Sequence, residues 1–342
     1  MHQKILMTFI KLLLIRYLIN MNMSNLYWIN NIFDNINFKI LPHGIIINGP
    51  RGIGKEILAK KIASSLILDS DNFISSDLDN HPDFFLLKKD KILIKHITLR
   101  QNNDTNDFDE ELGYRNINQF LSLTSSASKN KVAVILNAES MNNQSQNALL
   151  KSLEEPANNT YIILTVNRRN SLLDTIYSRC QLITVPTINQ EDINKWLVQN
   201  GVSEFNAKDF PSYITPLKIL DEIKNNQHNT FKDFINILVN FFDNKESQEE
   251  SIKKIDDLDL DLITKANYLI EFLKILLKSK ILSEKLSGVY IKLNSSTYNK
   301  LKISNLINEL NELRYDYFRV PQINQKHVIN YFMNELKNSI RI

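Results

Sequence analysis

Between residues 44 and 186, short runs of hydrophobic residues alternate with segments whose hydrophobic positions recur every three or four residues. A short, continuous apolar run is typical of a strand buried on both faces of a parallel sheet. Such runs predict strands at Gly44–Asn48, residues 92–97, Val132–Leu136, Tyr161–Val166 and Leu182–Val185. Helices are predicted at 55–67, 115–126 and 143–155, and a surface loop at 98–113. Strands that alternate with helices predict an α/β fold with a parallel sheet.

After Pro186 the strand pattern ends and only helical spacing remains. Residues 190–228 predict short helices, and residues 229–342 predict longer ones with apolar stripes. The Lys- and Glu-rich segment 245–257 is expected to be a solvated face or a connection. We therefore predict an α/β core at 23–186, a small helical domain at 187–228 and an all-α C-terminal domain at 229–342.

The N-terminal residues 1–22 are expected to be an extension outside the fold. Residues 4–20 are apolar, but Lys11 and Arg16 leave no uncharged stretch long enough for a membrane-spanning helix. The segment also lacks the small-residue cleavage site of a signal peptide. An amphipathic helix on a membrane surface is the alternative interpretation.

The composition is that of an ordinary globular protein. The chain has 342 residues, of which 43% are hydrophobic and 23% charged, and a net charge of +3. That charge is too small to indicate nucleic-acid binding by itself. Cys180 is the one cysteine, which excludes a disulfide framework and a multi-cysteine zinc site and fits a cytoplasmic protein.

Glycine is rare in this chain and concentrated in one place. Four of its seven glycines are Gly44, Gly49, Gly52 and Gly54. Residues 49–55 read G-x-x-x-x-G-K, between a predicted strand and a predicted helix, which is the context of a phosphate-binding loop. Backbone N–H groups of such a loop and the helix N-terminus bind anions, and Lys55 would lie beside the β- and γ-phosphates. Gly49, Gly52, Gly54 and Lys55 are therefore the predicted phosphate loop.

Position 56 departs from this motif, which requires Ser or Thr to ligate Mg²⁺. The chain has Glu56 there. A carboxylate about 4 Å from a phosphate charge would be repelled by roughly 4 kcal/mol at an effective dielectric constant of 20. Glu56 could offset this by coordinating Mg²⁺ directly, although its longer side chain would displace the ion.

The strand that should carry the metal-binding Asp ends in Leu136 and Asn137, which can neither hold Mg²⁺ nor activate water. Glu139 follows and is expected to lie beyond the strand tip. Together with Glu56, these residues predict a domain shaped like an ATPase that does not hydrolyse ATP, with no metal site.

Two further motifs point to a known family. Residues 147–156 read N-A-L-L-K-S-L-E-E-P, and residues 178–180 read S-R-C. This pair resembles the bacterial clamp-loader AAA+ family, and the degenerate nucleotide motifs are similar to those of its delta-prime branch. The segment His81–Asp83, residues 193–197 and the helical C-terminus are also similar.

The resemblance implies a P-loop AAA+ core, a helical lid at 187–228 and a collar at 229–342 that joins the subunits in a ring. It implies assembly with a delta subunit and gamma/tau ATPase subunits of DNA polymerase III, and loading of the sliding clamp on primer-template DNA. Arg179 becomes an arginine finger that acts in trans on a neighbour's ATP. The family's zinc module is expected to be absent, because residues 60–90 contain no cysteine. No cofactor is required, although ATP binding at the loop stays open.

Smaller features have ordinary alternatives. Cys180 is expected to be a packing residue that points Arg179 outward, rather than a reactive thiol. The lysines at 88–95 are expected to belong to a solvated loop, rather than to contact DNA phosphate. Asn167 lies near the family's nucleotide-sensing position.

Two alternative functions remain. One is a working clamp-loader ATPase that uses Glu56 or Glu139 in unusual roles. The other is a stand-alone DNA-binding AAA+ remnant, which would bind DNA in a salt-dependent manner without partner subunits.

Overall fold

The computed structural model describes residues 26–68, 78–98, 108–243, 245–317 and 324–341. The chain forms two units: one extends to Trp196 and includes Thr215–Lys218, and the other comprises Leu197–Ile214 and Ile219–Ile342. The predicted extension 1–22 lies outside the described residues. The predicted boundary between lid and collar stays a prediction.

The first unit is built on a parallel sheet with the strand order β2-β3-β4-β1-β5. The strands are β1 (Gly44–Asn48), β2 (Phe84–Lys88), β3 (Lys131–Leu136), β4 (Thr160–Val166) and β5 (Gln181–Thr184). All residues of β1 and β3 are buried, as their continuous apolar sequences predict, whereas the edge strand β5 is partly exposed. The predicted α/β class with a parallel sheet is confirmed.

The described helices that begin before Trp196 are α1 (Tyr27–Asp34), α2 (Lys55–Leu68), α3 (Ile94–Ile97), α4 (Ile117–Ser122), α5 (Asn143–Glu154), α6 (Asp174–Tyr177) and α7 (Gln190–Gln199). Helix α5 begins after its N-cap residue Asn142, whose side chain accepts a hydrogen bond of 2.8 Å from the backbone N–H of Ser145. It ends just before Pro156, which cannot continue a helix.

The predicted strand at 92–97 is wrong. The strand of this region is β2, and residues 94–97 form the helical turn α3 instead. The turn begins after Leu93, whose backbone N–H donates to Nδ1 of His96 at 3.1 Å. Residues 84–88 and residues 92–97 are both short apolar runs, and such runs fit a strand and a buried helical turn equally well.

Asp83 fixes the loop that leads into β3. Its carboxylate is fully buried and accepts hydrogen bonds of 2.8 Å from the backbone N–H groups of Ser126, Ala127 and Ser128. The Ser128 hydroxyl donates a further bond of 3.0 Å. Burial by itself raises the pKa of Asp83, but these donors outweigh it and lower the pKa to about 2.

The second unit is helical apart from 3-10 turns and a two-residue strand pair, β6 (Thr297–Tyr298) with β7 (Ile340–Arg341). Its helices are α8 (Pro216–Lys224), which begins in the first unit, α9 (Thr230–Phe242), α10 (Gln248–Asp257), α11 (Leu262–Leu282), α12 (Lys300–Asp316) and α13 (Gln325–Ser339). One hydrophobic core collects apolar residues from α9 to α13.

The segment 245–257 is more ordered than a connection. Most of it is α10, which starts with a capping box between Ser247 and Glu250 and buries Ile252 and Ile255. In the part of the chain that the structure describes, none of the helices is both long and apolar enough to cross a membrane.

Candidate functional site

In the predicted phosphate loop, the backbone adopts positive φ values at two of the glycines. Gly52 and Gly54 have φ values of +80° and +105°, a conformation that side chains other than glycine rarely adopt. A Cβ atom on Gly52 would lie 2.5 Å from Oγ1 of Thr215. The Thr215 hydroxyl itself donates to the carbonyl oxygen of Arg51 at 2.7 Å, so residues at the start of α8 cover this side of the loop.

Lys55 is buried at the start of α2 and its ammonium group is held by the protein. Nζ donates hydrogen bonds to the carbonyl oxygens of Gly49 and Pro50 and to Oδ1 of Asn167, at 2.8, 2.9 and 2.8 Å. Burial lowers the pKa of Lys55 to about 8, although the nearby Glu139 carboxylate favours the charged form.

Asn167 and Glu139 connect the ends of two strands to this lysine. Asn167 follows β4, and its backbone N–H donates to Oε1 of Glu139 at 3.1 Å. Its side-chain amide donates to the same oxygen and to Oδ1 of Asn137, the latter at 3.2 Å. Lys55, Asn167, Glu139 and Asn137 form one hydrogen-bonded set, here called the Lys55 network. Glu139 lies past the tip of β3 as expected, but its carboxylate turns back into the network.

The positions at which the phosphate-loop motif and its partner strand would ligate Mg²⁺ have other residues and other contacts in this chain. Leu136 is buried in β3, and Asn137 follows with a φ of +50°. Glu56 faces lysines, with Oε2 at 3.2 Å from Nζ of Lys88 and Oε1 at 3.8 Å from Nζ of Lys60. Among the described residues, no group of three or more His, Cys, Asp or Glu side chains could hold a metal ion. The loop and Lys55 fit a phosphate group, whereas these residues do not fit Mg²⁺-assisted hydrolysis.

Three of the four lysines at 88–95 have partners in the described residues, and Lys95 is one of them, since its Nζ donates to the carbonyl oxygen of Phe108 at 2.7 Å. Lys88 pairs with Glu56, and Nζ of Lys89 lies 3.0 Å from Oδ1 of Asp109. These pairs reduce the positive charge that the segment could offer to a phosphate backbone.

Arg179 lies at the other end of the sheet. Residues 175–180, here called the Arg179 turn, comprise the end of α6 and the three residues that connect it to β5. Nη1 of Arg179 donates to the carbonyl oxygen of Thr175 at 2.7 Å and to Oγ of Ser178 at 3.2 Å. Nη2 lies 2.6 Å from Oε1 of Glu154, and about a third of the arginine side chain is exposed (34%).

Gly44 and Cys180 bring β1 close to the Arg179 turn. A Cβ atom on Gly44 would lie 3.0 Å from Sγ of Cys180 and 3.1 Å from the carbonyl oxygen of Arg179. Burial raises the pKa of the Cys180 thiol to about 12, so the thiolate is disfavoured. These contacts fit the packing role expected for Cys180.

The sequence located the loop and Arg179 but missed their partners. Glu154 belongs to the E-E-P element, yet no spacing rule pairs it with Arg179. Thr215 and the contact between Glu139 and Asn167 also had no signal in the sequence, because each arises from residues distant along the chain.

Comparison with known protein sequences relates part of this chain to subunits of DNA polymerase III. The family model described as DNA polymerase III, delta subunit, matches residues 27–189. The DNA polymerase III delta-prime subunit of Haemophilus influenzae is 30% identical over 171 residues, which is 47% of this chain and 48% of that protein. The Bacillus subtilis delta-prime subunit is 27% identical over 186 residues, 52% of each protein.

The chain thus spans about half the length of the curated relatives it matches. Among solved structures, a gamma subunit-related protein of Thermotoga maritima covers 91% of this chain and 98% of its own length, with 15% identity and a TM-score of 0.45. The family match lies within the first unit, which carries the predicted phosphate loop and the Arg179 turn. Residues 27–189 are therefore similar to the DNA polymerase III delta subunit family model and to delta-prime subunits of that polymerase.

Proposed function

We propose that this chain is a delta-prime-like subunit of a cytoplasmic DNA polymerase III clamp loader that does not hydrolyse ATP itself. In this proposal it assembles with the delta subunit and the gamma/tau ATPase subunits through its helical second unit. It supplies Arg179 to the ATP of a neighbouring ATPase subunit while the sliding clamp is loaded on primed DNA. No zinc or other cofactor is required.

The observation that carries this proposal is the position of Arg179 relative to the chain's own phosphate loop. Strands β1 and β5 are parallel, with Ile45 opposite Gln181. Arg179 therefore lies beyond the N-terminal end of β1, whereas Lys55 lies beyond its C-terminal end. Gly44 and Gly49 are separated by about 16 Å along the strand. A guanidinium in this place cannot reach a phosphate held at Lys55, so any nucleotide it serves belongs to another subunit.

The proposed chemistry is electrostatic. A guanidinium supplied in trans stabilises the negative charge on the transferred phosphoryl group, and such arginines are worth on the order of 10³–10⁵ in rate. The loss of hydrolysis at this chain's own loop is supported by the same structure, since Glu56 is directed at Lys88 and Lys60 and Leu136 is buried.

Reconstitution with the matching delta, ATPase and clamp subunits tests the proposal. We expect Arg179→Ala to lower DNA-stimulated ATP hydrolysis at the facing site by about 10³-fold and to abolish most clamp loading, while the subunits still assemble. Arg169→Ala is the control, because Arg169 is exposed on a separate loop of the same unit. Unchanged rates in an assembled complex would exclude the role of Arg179.

A working ATPase is the second candidate, because Glu139 lies next to Lys55 in the Lys55 network. It requires Mg²⁺-dependent ATP turnover by the isolated chain, lost in Glu139→Gln. Turnover at background in a folded, isolated chain would remove it.

A further inference from the structure

Glu154 contacts the guanidinium of Arg179 although the two residues lie on different elements. Glu154 is the last residue of α5, and Arg179 lies in the turn before β5. Oε1 of Glu154 is 2.6 Å from Nη2 of Arg179, a distance typical of a charge-assisted hydrogen bond. The two side chains are 46% and 34% exposed, so the pair lies at the surface of the first unit, where another subunit can reach it.

The contacts of Arg179 leave two N–H donors of its guanidinium group for a further ligand. The group has five N–H donors: two on Nη1, two on Nη2 and one on Nε. Thr175 and Ser178 use the two donors of Nη1, and Glu154 uses one donor of Nη2. One Nη2 hydrogen and the Nε hydrogen are left without a partner among the described residues. Two donors on one planar group suit a bidentate contact with two phosphate oxygens.

The end of helix α5, from which the Glu154 side chain extends, is itself held in place. Nε2 of His43 lies 2.8 Å from the carbonyl oxygen of Leu153, which ties the end of α5 to the segment that leads into β1. Cδ2 of Leu153 would lie 3.2 Å from a Cβ atom on Gly44, and the same hypothetical atom would lie 3.0 Å from Sγ of Cys180. The helix end, the start of β1 and the Arg179 turn thus form one close-packed corner, which fixes the backbone of Glu154 near Arg179.

We propose that Glu154 is a positioning residue for Arg179. It holds the guanidinium in one orientation on the subunit surface, so that the Nε–H and one Nη2–H face outward to a phosphoryl group of the neighbouring subunit. This inference rests on the proposed function of Arg179 in trans. Preorientation matters because an arginine carries large rotamer entropy, which an unrestrained side chain would lose on reaching the transition state.

The test compares variants in the reconstituted clamp loader. We expect Glu154→Ala to lower kcat for DNA- and clamp-dependent ATP hydrolysis about two- to fivefold, the range of a half-exposed ion pair. The KM for ATP changes less than kcat, because the arginine acts on the transition state. Glu154→Gln keeps an oxygen that can accept the Nη2 hydrogen bond, so we expect its rate to lie between those of the wild type and Glu154→Ala.

A double-mutant cycle separates positioning from a general structural effect. If Glu154 acts through Arg179, then Glu154→Ala lowers the rate no further when Arg179→Ala is already present. Glu155→Ala is the matched control, because Glu155 is the next residue in the chain and is exposed. We expect this control to have the wild-type rate. Urea denaturation of each free variant checks that the fold is intact.

Three results would overturn the proposal. The rate could be unchanged in Glu154→Ala, it could rise because the carboxylate sequesters the arginine, or it could fall further in the Arg179→Ala background. Each of these would leave the role of Arg179 standing, provided that Arg179→Ala alone lowers hydrolysis. If Arg179→Ala has no effect in an assembled complex, the proposed function itself fails, and the two failures are thereby distinguished.

Discussion

At the scale of single residues, Asp83 has the clearest structural role outside the two candidate sites. We expect Asp83→Asn to lower the free energy of unfolding by about 2–4 kcal/mol, because an amide cannot accept all the hydrogen bonds that the carboxylate accepts from residues 126–128. Urea denaturation at pH 7 measures this. Asp90→Asn is the control, because Asp90 is exposed one residue beyond Lys89, and a similar loss in both variants would contradict the role of Asp83.

The same variant should change the pH dependence of stability. The pKa of Asp83 is lowered to about 2 in the folded protein, from an ordinary value of 3.8. A carboxyl whose pKa is lowered by folding contributes stability above its unfolded pKa. That contribution is lost as the pH falls from about 4 to about 2. The difference in stability between wild type and Asp83→Asn should therefore shrink in this range.

Single residues also show what the sequence could and could not reveal. The predicted phosphate loop could be located in the sequence because Gly49, Gly52, Gly54 and Lys55 lie within seven consecutive residues at a recognised spacing. The Lys55 network was not, because Lys55 and Asn167 are 112 residues apart and meet only when β1 and β4 pair. Contacts of this kind depend on strand order, and the local sequence does not contain it.

At the scale of elements, helix α10 tests whether the charged segment 245–257 contributes to folding. Ser247 caps it: the Ser247 hydroxyl accepts from the backbone N–H of Glu250, and the Glu250 carboxylate accepts from the backbone N–H of Ser247. We expect Ser247→Ala to lower the free energy of unfolding by about 1 kcal/mol. Ser203→Ala, at an exposed position of the same unit, should cost less. Equal stability of both variants, measured in urea, would show that the cap is dispensable.

Elements with one dominant pattern of hydrophobic residues were predicted well from the sequence. The buried strands β1 and β3 match because a continuous apolar run bounded by polar residues has few other uses in an α/β fold. The prediction of a strand at 92–97 was wrong because burial of Ile92 and Ile97 is compatible with a strand and with a helical turn. The hydrogen bond from the backbone N–H of Leu93 to Nδ1 of His96 favours the helical turn. The sequence left segment 245–257 open between a solvated helical face and a connection, because only Ile252 and Ile255 in α10 are buried apolar side chains.

At the scale of the whole molecule, the two ends of the sheet should differ in their importance for clamp loading. We expect Lys55→Ala to reduce loading much less than Arg179→Ala in the same reconstituted assembly. The reason is that Lys55 is buried and held by the chain's own carbonyl groups and by Asn167, whereas about a third of the Arg179 side chain is exposed (34%). Loading rates per assembled complex provide the measurement. A loss in Lys55→Ala as large as that in Arg179→Ala would show that the phosphate loop is still in use.

Strand β1 has a mechanical consequence for these two sites. Its C-terminal end continues into the phosphate loop, and its N-terminal end packs through Gly44 against Cys180 and the carbonyl oxygen of Arg179. The strand is hydrogen-bonded on both sides, to β4 and β5, and is buried along its whole length. Such a strand neither stretches nor bends easily, so a displacement of one of its ends is expected to move the other end. An anion that shifts the loop along the strand axis is therefore expected to shift the turn that carries Arg179, so that binding at one end of β1 would alter the position of the arginine at the other end.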